Sequence, residues 1–199
     1  MVDMTALEPR SGEIVCREWW SQEGTTNIRH VLIVAAIRPH PYVVRIFAGR
    51  GKQPARVKRY GAWMKSTREQ MSVALAASGI EQFPVDWILG TAISSAAPME
   101  AFADAPLRKD GQTDRRYIKG VLNWDRTDLD KAIEDSLNGI LWHDDNQVRT
   151  TGPGAHFAQT GNALAIHTWG AIRAFIPWNP EWDAEGYSVP FSYSWLSAL

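Results

Sequence analysis

The chain has 199 residues, of which 45% are hydrophobic, so it can bury a sizeable core and we expect one domain with appendages. Its single cysteine, Cys16, excludes an internal disulfide and is typical of a reducing, intracellular setting. The polar, acidic start does not resemble a signal peptide, and the longest apolar run is too short to span a bilayer, so we expect a cytoplasmic protein with no membrane partner.

The net charge of −1 conceals a segregation of charge along the chain. Residues 45–68 contain eight Lys or Arg and no acid, whereas acids concentrate in residues 124–148. This pattern predicts a basic surface for a polyanion beside an acidic centre. The alternative for the basic stretch is a solvated loop and helix start.

The first half of the chain alternates strand and helix signals. Residues 1–28 are expected to be an irregular or peripheral N-terminal extension. HVLIVAAI (30–37) and PYVVRIF (41–47) are β-branched runs separated by RPHP, which predicts strand, turn and strand. The basic stretch 48–61 is then expected to be a loop, and a helix is expected from about Ala62 to the stop at Gly79.

The second half continues the same interleaving. Strands are expected over 83–94, 116–122 and 162–176, with a loop or short helix over about 95–115. The aromatic segment 177–199 is expected to form an arm packed on the body or on a second subunit. Residues 29–176 are therefore predicted to be an α+β (α/β) domain, with one mixed β-sheet packed by helices.

Residues 124–148, WDRTDLDKAIEDSLNGILWHDDNQV, hold seven carboxylates. A helix from about Asp128 to Asn138 is predicted by a capping box at Thr127 and by the Asn138-Gly139 stop. Its buried stripe is expected to consist of Leu129, Ile133, Leu137 and Ile140. Acids in a first helical turn also complement the helix dipole, which alone accounts for Asp128 and Asp130.

Asp144 and Asp145 follow the apolar run ILW, where two adjacent acids repel each other. The helix climbs about 13 Å from Asp130 to Gly139. The six following steps reach at most about 20 Å if extended. The chain can therefore return one of this pair to the helix start.

Converging carboxylates need a cation, and oxygen-only ligands select Mg²⁺ or Mn²⁺. His143 is read as a flanking residue or a substrate contact, because no second histidine lies at the spacing of a zinc ligand. A carboxylate-bound Mg²⁺ beside a basic surface is typical of phosphodiester hydrolysis. The remaining four histidines form no motif and are assigned no role.

The stretch DLDKAIEDSLNGILWHDDNQV resembles the signature of RusA-like Holliday junction resolvases. The resemblance is close over residues 126–148 and looser over about 30–175. It implies a homodimeric, Mg²⁺-dependent endonuclease that resolves four-way DNA junctions by paired nicks, in bacterial or phage-infected cells, with no nucleotide cofactor. The metal ligands implied are Asp128, Asp130 and Asp145, with Asp144 assisting.

The chain departs from the family pattern at two positions. The family usually has Asn after the DLD triplet and Lys four residues beyond its second Asp, where this chain has Lys131 and Glu134. Either Lys131 takes over the role of the usual lysine as a catalytic residue, or Glu134 is an additional ligand one turn from Asp130. The chain is also longer than the family core, which bears on the choice of substrate and on the dimer.

DNA contacts are expected from seven basic residues. They are Arg50, Lys52, Arg56, Lys58, Arg59, Arg116 and Lys119. Trp142, Tyr60 and Trp63 are expected to pack in the core rather than to stack on bases. Other branched, nicked or flap DNA, a non-catalytic junction-binding role, and a structural protein with an acidic helix are the alternatives.

Overall fold

A computed structural model describes residues 13–37, 40, 55–97, 126–152, 156–158, 163–180 and 182. Within these residues the chain forms two α-helices and six β-strands, with a 3₁₀ turn at Asp145–Gln147. In chain order they are β1 (Ile14–Glu23), β2 (Thr26–Ala35), α1 (Ala55–Ala77), β3 (Trp87–Ala97), α2 (Arg126–Leu137), β4 (Val148–Thr151), β5 (His156–Ala158) and β6 (Ala163–Ile172).

The six strands of the described part form one mixed sheet, in the order β1-β2-β6-β3-β4, with β5 also paired to β3. Neighbours are antiparallel from β1 to β3, whereas β4 and β5 run parallel to β3. The two short strands lie along successive parts of the same edge, at Leu89–Thr91 and at Ser95–Ala97. The prediction of an α+β fold with one mixed sheet is therefore confirmed.

Of the two alternatives for residues 1–28, an irregular segment is wrong from Ile14 onwards, whereas a peripheral one agrees with β1 as an edge strand of the sheet. β1 and β2 form a hairpin in which Ile14 faces Ala35 and Glu23 faces Thr26, and Gly24 makes the turn with φ of 57°. Charged and polar residues on both faces of the edge strand β1 hid the alternation that identifies a strand. The boundary expected after residue 28 consequently falls inside β2.

α1 begins at Ala55, so the basic loop expected over 48–61 is wrong for its last seven residues. The buried face of the helix starts with Val57 and Tyr60, ahead of Met71. Lys58 and Arg59, between those buried positions, are exposed. The density of basic side chains therefore concealed a helical stripe. The core role expected of Tyr60 is confirmed.

The sheet has two buried faces. One face packs on both helices, and its core joins strand residues such as Ile33 and Ile93 to Met71 of α1 and Ile133 of α2. The other face is covered by the segment that follows β6, where Trp182 packs with Trp169. An arm was predicted at residues 177–199. Of its described residues, Trp178 and Trp182 pack on the body.

Two histidines lie under this aromatic cover. His30 Nδ1 is 3.1 Å from His167 Nε2, and His30 Nε2 is 2.7 Å from Ser21 Oγ. Trp19 stacks on His30 with ring centroids 5.0 Å apart. Burial lowers the pKa of His30 to about 4, and burial and the neighbouring His30 lower the pKa of His167. Both rings are therefore neutral constituents of the core.

Several predictions concern residues outside the described part of the chain. These are the strands at 41–47 and 116–122, most of the loop at 95–115, and the contacts Arg50, Lys52, Arg116 and Lys119. Arg56 lies in α1, but its side chain is also outside the description. Among the described residues, neither helix is long and apolar enough to cross a membrane.

Candidate functional site

α2 presents the first half of the acidic motif. Its apolar stripe is buried as expected through Ile133 and Leu137. The helix begins at Arg126, so Thr127 lies in the first turn and is not the cap that the capping box predicted. Asp130 and Glu134 are one turn apart, which places their side chains on the same side of the helix.

The helix ends where the Asn138-Gly139 stop was predicted. Gly139 has φ of 72°, and its N–H donates to the carbonyl of Trp142 at 2.7 Å. Trp142 is buried, as expected, and its Nε1 donates to Asn138 Oδ1 at 2.7 Å. Arg68 of α1 donates to the carbonyls of Asp135 and Ser136 at 3.0 and 3.3 Å, so its charge complements the carboxyl end of α2.

Beyond the stop, the chain turns back towards α2 and enters the sheet. Asp144 caps the 3₁₀ turn, because its Oδ1 accepts the N–H of Asn146 at 2.8 Å. This bond lowers the pKa of Asp144. The carboxylate of Asp144 therefore has a structural task, whereas its assistance at a metal stays a prediction. His143 is exposed beside the cap.

Gln147 fixes this loop, which we call the DD loop (residues 143–147), to the start of β3. Its Oε1 accepts the N–H of His143 at 2.7 Å. Its Nε2 donates to the carbonyl of Pro84 at 2.8 Å and lies 3.4 Å from that of Trp87. The side chain is buried. Sequence reasoning quoted Gln147 within the motif but gave it no role. Its burial and its three contacts depend on how the loop docks, so the sequence carried no signal for this role.

The return of the chain, which its length allowed, places Asp145 beside the first turns of α2. Lys131 Nζ lies 3.7 Å from Asp145 Oδ2 and 3.3 Å from Asp135 Oδ1. All three side chains are partly exposed. The ammonium of Lys131 therefore links the helix to the DD loop.

The pKa of Glu134 shows the effect of bringing these charges together. Burial, then the charge of Asp130, and also that of Asp145, raise the pKa of Glu134 to about 7, against the opposing effect of Lys131. A carboxyl group with this pKa is partly protonated near neutral pH. Asp130, Glu134 and Asp145 thus act on one another as an acidic cluster, with Lys131 as its counter-charge.

The converging side chains bear on whether a divalent ion could bind at this site. Among the side chains that the structure describes, no three His, Cys, Asp or Glu are arranged to hold a metal ion. Asp128 lies two residues before Asp130 in α2, but its side chain is outside the description. The donors that converge are all carboxylate oxygens, and burial together with the charges of Asp130 and Asp145 raises the pKa of Glu134. Carboxylate oxygens are the donor type that Mg²⁺ prefers, but the described side chains by themselves do not form a metal site.

The described part of the basic surface lies on α1. Lys58 and Arg59 are exposed there, and Lys65 is 3.9 Å from Glu69 in a solvated pair. Trp63 is half-buried and packs against the helix-side core, with its ring 6.1 Å from that of Tyr60. Lys58 and Arg59 are consequently the two predicted DNA contacts whose exposure the structure shows.

No protein-family model matches the chain, and no match was found among curated proteins.

Proposed function

We propose that this protein is a Mg²⁺-dependent endonuclease that acts on branched DNA, and on four-way junctions in particular. The observation that carries the proposal is the meeting of the two halves of the acidic motif, in which Lys131 reaches Asp145 and the pKa of Glu134 responds to both Asp130 and Asp145. The DD loop that carries Asp144 and Asp145 is anchored by the buried Gln147, whose amide donates to the carbonyl of Pro84.

Asp128, Asp130 and Asp145 would hold the ion, with Glu134 as an additional oxygen donor. When bound, Mg²⁺ supplies an activated water and neutralises charge on the scissile phosphate, and Mn²⁺ can replace it. Lys131 places an ammonium beside Asp145, where it would stabilise charge on the phosphate. Lys58 and Arg59 would bind the DNA backbone.

The preference for junctions rests on the resemblance to RusA-like resolvases, as does the expected homodimer. A two-fold dimer presents two equivalent sites, which suits the symmetric cutting of two strands. DNA in the cytoplasm of a bacterial or phage-infected cell would be the substrate.

Glu134 supports one second candidate, a protein that binds branched DNA without cutting it. A glutamate with a pKa of about 7 stands where the family usually has a lysine. This candidate predicts salt-sensitive binding to junctions with no product in Mg²⁺ or Mn²⁺.

The test is a cleavage assay on a labelled four-way junction and on linear duplex, with Mg²⁺ and with EDTA. We expect Mg²⁺-dependent nicks in the junction, and we expect Asp130→Asn to abolish them while junction binding in EDTA is retained. Glu69→Gln, which changes an exposed acid on α1, is the matched control and should cut like the wild type. Nicking that persists in Asp130→Asn would refute the assignment of the site.

A further inference from the structure

An aromatic surface lies next to the DD loop. Trp20 of β1 is 56% exposed, and its ring meets that of Trp87 edge-on with centroids 5.9 Å apart. Ile172, the register partner of Trp87 on β6, is 59% exposed. We call Trp20, Trp87 and Ile172 the aromatic patch. Large apolar side chains that remain this exposed beside one another commonly mark a binding surface.

Gln147 connects this patch to the acidic cluster. Its Nε2 lies against the backbone of Pro84 and Trp87, and two residues earlier the same 3₁₀ turn begins with Asp145. Trp20 shares its face of β1 with Cys16, which packs on the helix-side core. The patch and the acidic cluster are therefore on the same side of the sheet, and Gln147 of the DD loop contacts the backbone of Trp87.

The basic residue Arg173 comes directly after Ile172 of the patch. Its side chain is 82% exposed, and its Nε is 3.7 Å from Asp86 Oδ2. Its backbone is left-handed, with φ of 50°, and its N–H donates to the carbonyl of Asp86 at 3.1 Å. A non-glycine residue adopts this conformation at a cost, and the backbone bond to Asp86 holds it there.

We infer that Trp20 is a stacking platform for an unpaired base of branched DNA, with Arg173, which follows Ile172 of the patch, as the contact for a phosphate of the same strand. An exposed indole binds the face of any base, whereas a paired base inside a duplex keeps its faces covered by its neighbours. The occupant is therefore a base released at a branch or a single-stranded arm. This inference rests on the proposed function, and it assigns the recognition of the branch to β1, outside the stretch of the chain that carries the family resemblance.

The test compares binding to a fully paired duplex with binding to the same duplex carrying an unpaired thymidine arm, by fluorescence anisotropy in EDTA. Trp20→Ala should weaken binding to the armed duplex by at least about fivefold, the lower end of what one base stack contributes. It should leave the paired duplex unchanged. Trp20→Phe, which keeps an aromatic face, should recover most of the loss.

Val73→Ala is the matched control, because Val73 is also exposed but lies on α1. Equal affinity of wild type and Trp20→Ala for the armed duplex would overturn the inference, as would an equal loss on both DNAs. In that case the patch would be a surface for a protein partner or a second copy of the chain.

The two proposals can fail separately. A wild type that cuts junctions while Trp20→Ala binds the armed duplex normally would refute the stacking platform alone. A wild type that does not cut, although Trp20→Ala has lost the armed duplex, would refute the nuclease alone.

Discussion

Gln147 is the residue through which the nuclease proposal can be tested most sharply. Gln147→Met keeps the length and most of the volume of the side chain but removes its amide. The change leaves the His143 N–H and the Pro84 carbonyl without their partners and ends the longer contact to Trp87. Each lost bond costs about 0.5–1.5 kcal/mol, and more where the remaining group is buried. We expect the free energy of unfolding to fall by about 2–4 kcal/mol.

The functional effect should exceed what stability explains. Without its amide, the DD loop no longer holds Asp145 beside Lys131, and a displacement of about 1 Å can cost two orders of magnitude in rate. We expect kcat for junction cleavage to fall at least about tenfold. The affinity for the junction in EDTA should be retained, because Lys58 and Arg59 lie on α1 and because Gln147 contacts only the backbone of Trp87, not the side chains of the aromatic patch. The assay is single-turnover cleavage with titrated Mg²⁺, at a temperature where urea titration shows the variant to be folded.

Gln70→Met is the matched control, since Gln70 makes one exposed bond to Ser66 on α1. It should change neither stability nor cleavage measurably. A folded Gln147→Met protein that cuts like the wild type would refute the argument that Gln147 positions Asp145. A loss of junction binding equal to the loss of rate would show that the loop acts in binding instead.

Two further predictions concern pH. Because the pKa of Glu134 rises from 4.5 to about 7 on folding, the folded state binds its proton more tightly, so stability should fall as pH rises across that interval. Glu134→Gln should therefore raise the free energy of unfolding above pH 7 by about 1–3 kcal/mol, a range that allows for solvent screening of a half-buried group. The control Glu69→Gln should not raise it. Urea titrations below pH 4.5 and above pH 7 measure the difference. The pKa of His30 falls from 6.5 to about 4 on folding. The stability that the neutral ring contributes to the folded state is therefore present above pH 6.5 and is lost as pH falls towards 4. In His30→Gln, the acid-unfolding profile followed by tryptophan fluorescence should be shallower between these values, and an unchanged slope would contradict the burial argument.

Local signals in the sequence were sufficient for much of the fold. The β-branched run in β2, the periodic apolar stripe of α2 and the Asn138-Gly139 stop each follow from short-range rules of strand pleating, helical period and left-handed glycine. The same rules failed at β1 and at the start of α1. In both places charged side chains occupy solvated positions of a regular element, and the pattern that marks the element is then weak.

For the candidate site, the sequence by itself determined which carboxylates were available and that the chain was long enough for Asp145 to return to α2. Tertiary structure alone decided which of them meet. Side-chain charges interact over a few ångströms in space, and that distance depends on how the DD loop docks on β3 through Gln147. The same holds for Glu134, whose raised pKa comes from burial and from neighbours that folding brings close. It also holds for His30 and His167, which are far apart in the sequence and meet only in the folded core.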